Sequence, residues 1–455
     1  MASIDRDHLH ALLRHEEDRF IDLHPRSAGR AAQARTNLVA GVPMAWMTRL
    51  PGSFPVFFER AHGASFTDVD GLRYVDFCLG DTGAMTGHGL EPLADALAAQ
   101  ARRGITTMLP NDDAAWVGAE LARRFGLPRW QLAMTATDAN RFVLRFARHL
   151  TGRPKVLVFD WCYHGTVDET LATLDSNGKV VHRPGTIGPS FDPATTTKVV
   201  QFNDLAALEA ALADHTVAAV LMEPALTNIG IVLPDPGFLD GVRAACDRTG
   251  TLLVIDETHT ICTGPGGATA AWGLRPDLFV IGKTIGGGMP VAAYGMTDEI
   301  ATRLLPALVD HDVDVSGVGG TLTGNALALA AVRAVLSSTL LEADYARMIP
   351  LATRWTEGVA GTIVEHDLPW HVQQLGCRAE YWFCLPPRNG RDAADAVDHE
   401  LDAYMHLYAM NRGVLLTPFH NMALMSPFHT EAHVDLHTEV FAGAVAELVG
   451  AKIPA

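Results

Sequence analysis

The sequence predicts an α/β protein: a large domain on a mostly parallel sheet covered by helices, with a smaller α+β domain assembled from the N- and C-terminal segments. Three observations carry this. Short apolar runs rich in β-branched residues recur through the middle of the chain, helical patterns lie between several of them, and a different texture flanks that core on both sides.

In chain order, "MASIDRDHLHALLRHEEDRF" alternates charge with aliphatics and reads as an amphipathic helix packed on another surface. Residues 54–80 read as a hairpin, with "SFTDVDGLRYVDF" alternating about the turn Asp70-Gly71. A helical pattern fills "MTATDANRFVLRFARHLTGR" (134–153). Strands follow at "KVLVFD" (155–160), "VAAVLMEP" (217–224), "TLLVIDE" (251–257), "LFVIGK" (278–283) and "VAAYGM" (291–296). Between them, "DLAALEAALADH" (204–215) and "PGFLDGVRAACDRTG" (236–250) are helical, with Pro236 suited to a first turn and Gly250 to a stop. Strand, helix, strand in this order implies parallel pairing. After residue 325, "NALALAAVRAVLSSTLLEADYARM" is helical, and mixed segments "RAEYWFCL" and "HLYAMNRGVLLTP" end the chain. The plan is an N-terminal arm and part of the small domain over 1–80, a large domain over 81–325 and a C-terminal small domain over 326–455.

Composition narrows the function. A formal charge of −17 over 455 residues repels phosphate backbones and anionic membranes, and no Lys/Arg-rich run offsets it. No apolar stretch reaches the roughly 18 residues that span a bilayer, and the first residues lack a signal-peptide core. Cysteines 78, 162, 246, 262, 377 and 384 show no C-x-x-C pairing and read as thiols of a reducing compartment. The expected location is the cytoplasm, with neither nucleic acid nor membrane as a partner. Twenty histidines show no H-E-x-x-H or comparable spacing, so no metal site is expected.

The chemistry concentrates where apolar runs end. In open parallel sheets ligands bind beyond the carboxyl ends of the strands. There stand Tyr163-His164-Gly165, Glu223, Asp256 and Lys283. "LFVIGKTIGGGMP" is no nucleotide loop: Asp277 stands where G-x-x-x-x-G-K-[ST] needs its first glycine, and the glycines and Pro290 oppose the helix that motif requires. A neutral lysine amine can form an imine with an aldehyde, and a carboxylate can keep a pyridine nitrogen protonated. Together they suit pyridoxal phosphate. Alone, Asp256-Glu257 reads rather as a solvated loop pair or a metal ligand. Thr135-Ala136-Thr137-Asp138 offers hydroxyls and a helix N-terminus to a phosphate, although an ordinary N-cap looks the same.

With "YHG" (163–165), "EPALTNIGIVLPDPGFL" (223–239), "LLVIDE" (252–257), "GKTIGGGMPVAAYG" (282–295) and "GGTLTGN" (319–325) in this order, the chain resembles class III aminotransferases, a fold-type I pyridoxal phosphate family. It is most similar to the glutamate-1-semialdehyde aminomutase-like members. The resemblance runs from "GASFTDVDGLRYVDF" to "GVLLTPFH". It implies that Lys283 holds the cofactor as an imine and shuttles protons, and that Asp256 pairs with the pyridinium. It places Tyr163 on one ring face and Thr258, in place of a valine, on the other. Thr135, Ala136 and Thr137 fall to the phosphate, with Gly320 and Thr321 reaching it from a second subunit, so a homodimer is implied. Asn228 contacts the ring hydroxyl and Glu223 buttresses the site. His164, His259 and His420 lie in segments near it.

Two departures stand out. Thr258-His259-Thr260 replaces Val-Met-Thr. On the N-terminal segment the family's carboxylate-binding arginine gives way to Ala45, Trp46 and Met47, with Arg49 nearby but out of register. The expectation drawn from this is an aminotransferase moving an amino group from an amine or amino acid to a carbonyl acceptor, with a pocket of Trp46, Met47, Arg49, His164 and His420. The alternatives are a 2,1-aminomutase, a pyridoxal phosphate-dependent lyase, or a non-catalytic binding protein. Residues 173–196 resemble a gating loop, which would exclude water.

Overall fold

The apolar runs assemble into a seven-stranded sheet in the computed structural model, which describes residues 4–309, 316–418 and 420–450. In chain order the strands are β1 (Arg129–Ala133), β2 (Lys155–Phe159), β3 (Thr197–Val200), β4 (Val217–Met222), β5 (Leu252–Asp256), β6 (Leu278–Ile281) and β7 (Ala292–Met296). Across the sheet they lie β1-β7-β6-β5-β4-β2-β3. β7 is antiparallel to both neighbours, and the other pairs are parallel. β4 and β6 are buried at every residue, as strands covered on both faces must be. The sequence reading misses β1 and β3, and both are edges. "RWQLA" leaves Arg129 and Gln131 exposed, and "TKVV" is four residues with a half-exposed lysine.

The helices bearing on the site are α1 (Glu91–Arg103), α2 (Asp112–Phe125), α3 (Ala136–Thr151), α4 (Leu205–Leu212), α5 (Phe238–Thr249) and α6 (Ala326–Ser338). α3 packs on the sheet through Ala139, Val143, Phe146 and Ala147, at helical spacing. The Thr135 side chain caps its start by accepting from the Asp138 N–H, and Gly152, at φ +68°, ends it. α5 ends at Gly250 as expected, but Gly237 is its N-cap, so Pro236 lies ahead of the helix rather than in its first turn.

The chain divides into two compact units. One comprises Glu91–Glu342 with Pro387–Asp395 and contains the sheet. It continues past residue 325 because α6 packs on α1 and α2 and buries Leu329, Val332 and Val335. The other joins Met1–Leu90, Ala343–Pro386 and Ala396–Ala455. Within it, Ser65–Asp68 pairs with Arg73–Asp76 about Gly71, at φ +92°. Arg73–Asp76 also pairs in parallel with Val414–Leu415. Phe20, from the helix Arg6–Leu23, packs with Tyr74, Leu407 and Met410. Among the described residues no single helix is long and apolar enough to cross a membrane.

Candidate active site

Three adjacent strands deliver three ionisable side chains to one end of the sheet. Ile255 on β5 lies opposite Met222 on β4, and Asp256 opposite Val280 on β6. Glu223 and Asp256 therefore leave the sheet side by side, with Lys283 two residues past β6. The backbone turns sharply there. Lys283 itself has φ +50°, a left-handed conformation that costs a residue with a side chain about 1 kcal/mol and is often found at functional sites. A Cβ on Gly282 would lie 3.0 Å from the Ala136 Cβ, so this glycine lets the end of β6 meet the start of α3.

Asp256 is buried and fully engaged. Its Oδ2 accepts from Asn140 Nδ2 at 2.8 Å and from the His164 ring at 3.0 Å. Its Oδ1 accepts from the Thr258 N–H at 3.1 Å and the Thr258 hydroxyl at 2.6 Å. Burial opposes the carboxylate, but His164, Thr258 and Asn140 outweigh it and hold the pKa of Asp256 below its ordinary value. Burial likewise opposes charge on His164, yet Cys162 and Asp256 push its pKa well up, so the two groups form a buried ion pair. Glu257 goes the other way. Burial raises its pKa, and it faces Thr260, Ala268 and Thr269, away from Asp256.

A second set of contacts starts at Lys283. Its Nζ lies 2.5 Å from His259 Nε2, and His259 Nδ1 lies 3.0 Å from the Thr227 hydroxyl. That hydroxyl donates to Glu223, whose other oxygen accepts from the Tyr163 N–H at 3.3 Å. Burial raises the pKa of Glu223 despite the opposing pull of His164 and Thr227.

The fold thus gathers Tyr163, His164, Glu223, Asp256, Thr258 and Lys283. Thr137 stands beside them: its hydroxyl accepts from the Thr166 N–H at 3.1 Å, and a Cβ on Gly165 would collide with it. The contacts of Asn140 and Thr227 have no sequence signal. His259 lies in a flagged segment, but its contact with Lys283 depends on the fold. Asn228 makes no hydrogen bond to this cluster among the described residues; its neighbour Thr227 does. Gly320 and Thr321 stand apart from it, exposed on a cavity of about 540 Å³ lined also by Thr106–Pro110. The remaining expected pocket residues belong to the other unit. There Trp46 and Met47 are 41% and 37% exposed. Arg49 lines a cavity of about 630 Å³ with Arg14 and His399. His420 is buried, its ring 3.1 Å from Glu380.

These residues fit pyridoxal phosphate. A buried, ionised carboxylate suits a pyridinium nitrogen, and of its four donors the Thr258 hydroxyl can rotate away to admit one. The start of α3, with Thr135, Ala136 and Thr137, offers N–H groups and hydroxyls to a phosphate, and Lys283 supplies an amine.

A family model, aminotransferase class-III, matches residues 47–349. The glutamate-1-semialdehyde 2,1-aminomutase of Myxococcus xanthus is 33% identical over 87% of this chain and 91% of its own length. Among solved structures, a lysine-to-alanine variant of a glutamate-1-semialdehyde-aminomutase from Pseudomonas aeruginosa, in complex with PMP, superposes with TM-score 0.96 at 49% identity. It covers 98% of this chain and 100% of that one. An omega-transaminase from Sphaerobacter thermophilus superposes at 0.84 with 26% identity, over 93% and 98%. These findings overturn the expectation of an aminotransferase acting between two substrates. That expectation rested on one N-terminal stretch, Ala45 to Met47. The likeness to aminomutases extends along nearly the whole chain, and a carboxylate can be gripped from elsewhere.

Proposed function

We propose, from the premise that this chain belongs to the class-III aminotransferase family, that it is a glutamate-1-semialdehyde 2,1-aminomutase, an isomerase that exchanges an amino group and a carbonyl between neighbouring carbons. The chain is a pyridoxal phosphate-dependent class III enzyme. The observation that carries the finer reading is its full-length likeness to the Pseudomonas aminomutase, joined to an intact Lys283 and Asp256.

When bound, pyridoxal phosphate supplies an aldehyde that takes up amines and a ring that accepts the electron pair left by a departing proton. This chain's residues do the rest. Lys283 would hold the aldehyde and, once released, carry protons between carbons, a role typically worth about 10²- to 10⁴-fold in rate. Asp256, kept ionised by His164, would hold the ring nitrogen protonated. Ala136, Thr137 and the first turn of α3 would grip the phosphate. Arg183 is the cation we assign to the substrate carboxylate. It donates to the Cys162 carbonyl at 2.8 Å and stacks over Trp161, within electrostatic reach of Tyr163 and Glu223.

An isomerase must keep its substrate between the two halves of the exchange, which suits residues 173–196 to the role of a lid. We also propose a homodimer. Met108, Leu109 and Leu322 are 80%, 73% and 48% exposed beside Gly320 and Thr321, an apolar face suited to a second copy whose phosphate those two residues would reach.

The test is purified enzyme with glutamate 1-semialdehyde and no added amino donor or acceptor. Accumulation of the isomer bearing its amine on the former aldehyde carbon is expected. Activity that appears only when a separate donor and keto acid are paired would refute the reading.

A further inference from the structure

His259 is 7% exposed in the turn after β5, where the Thr227 hydroxyl and Lys283 Nζ contact its two ring nitrogens. The protonation of that ring follows from its neighbours. The Thr227 hydroxyl has one hydrogen and gives it to Glu223, so its oxygen accepts from His259 Nδ1. Nδ1 therefore carries the ring proton. Nε2, left with its lone pair, accepts from Lys283. The three hydrogens along this chain point one way, from the amine to the carboxylate.

We propose that His259 is the positioning residue and proton acceptor for Lys283, taking a proton from its ammonium through Nε2 while Glu223, acting through Thr227, balances the charge that appears on the ring. In this step an N–H bond of the ammonium breaks and its electron pair stays on Nζ. An N–H bond forms on Nε2, imidazole becomes imidazolium, and nothing else is consumed. The proposal rests on the reading of Lys283 as the cofactor-bearing lysine. Its use is plain in an isomerase. One lysine must move protons repeatedly, and a buried base 2.5 Å away resets it without admitting water.

Among the described residues, charged groups reach His259 from three segments. Lys283 faces it from the turn after β6, and Glu223 through Thr227 from the segment after β4, with Arg183, His164 and Asp256 in electrostatic reach of Glu223. On its own segment Asp256 is bound by His164, Asn140 and Thr258, and Glu257 by Thr260, Ala268 and Thr269. Replacing His259 tests the contact with Lys283 directly, and Thr227→Val tests the link to Glu223 and the groups around it.

The test strips cofactor from the holoenzyme and follows recovery of the cofactor–lysine absorbance after adding pyridoxal phosphate, across pH. It needs capture by Lys283 but no turnover. Wild type is compared with His259→Gln, His259→Ala and Thr227→Val. Glutamine can accept a hydrogen bond but cannot take a proton. Both His259 variants should move the pH of half-maximal capture rate up by about one unit, with capture roughly tenfold slower below it. Thr227→Val should move it the same way by less.

Superimposed curves for wild type and the His259 variants overturn the proposal. A wild-type curve in His259→Gln alone overturns proton acceptance, because orientation then suffices. If His259→Ala melts early, Thr227→Val decides, since it leaves His259 and Lys283 in place, and an unshifted curve there overturns the relay. A wild type that captures no cofactor overturns this proposal together with the reading of Lys283. One that captures cofactor normally but isomerises nothing refutes the proposed reaction, while the shifted curves still support the relay.

Discussion

Adjacent carboxylates with opposite fates show how single residues acquire roles here. Asp256 and Glu257 are neighbours in sequence and both buried, yet Asp256 is held ionised by His164 while burial pushes Glu257 toward its neutral form. Asp256→Asn keeps the volume and loses the charge. It should retain bound cofactor by absorbance while kcat falls roughly 10²- to 10³-fold, the scale of losing one preorganised electrostatic partner. A kcat within a few-fold of wild type would remove Asp256 from the chemistry. Lys283 and Asp256 were legible because each follows an apolar run, and the strand pattern alone puts such residues at the ligand-binding end of a sheet. The contact between His259 and Lys283 was not legible. It joins residues in the turns after two different strands through a side-chain distance that no periodicity encodes.

Elements were legible in proportion to their burial. The five strands read from sequence lie inside the sheet, where both faces are covered and the apolar run is nearly continuous. The two missed strands are its edges, where polar residues interrupt the run. Residues 173–196 read in sequence as one long loop. The segment after β2 contains a short hairpin, Ala172–Leu174 with Val180–His182, rooted by Thr173 and Leu174 on Asp160. Arg183 follows that hairpin directly. Burial pulls its pKa down against the pull of Cys162, Tyr163 and Glu223, and a half-buried cation of this kind gains from a carboxylate partner. Arg183→Leu should raise KM for glutamate 1-semialdehyde roughly 10- to 100-fold with a smaller effect on kcat, as loss of uniform binding does. An unchanged KM would return the carboxylate grip to another residue.

At the scale of the whole molecule, likeness along the chain corrected a reading built on one stretch. Trp46 and Met47 are 41% and 37% exposed, so their apolar character alone says little about substrate. Stability is also a property of this scale, and its pH dependence follows from buried histidines. In the unit that holds the terminal segments, burial lowers His406 to about 4, and His429 and His437 to about 3. Each stays neutral when folded, while unfolding lets it protonate below the ordinary histidine pKa near 6.5. Above that pH none contributes a penalty. As pH falls below it, the unfolded chain binds protons that the fold refuses, and stability is lost toward the folded values. Asp402 opposes this, because burial raises it to about 6 and protonation below that value favours the fold. Three histidines at about 1 kcal/mol each, offset in part by Asp402, give a loss of roughly 2 kcal/mol from these four groups between about pH 6.5 and 5.5. Thermal melts at matched ionic strength should show the midpoint falling over that unit. His437→Gln should flatten the slope, since it removes one of these buried-histidine titrations. A midpoint that is flat or rises on acidification would mean that these rings are protonated within the fold.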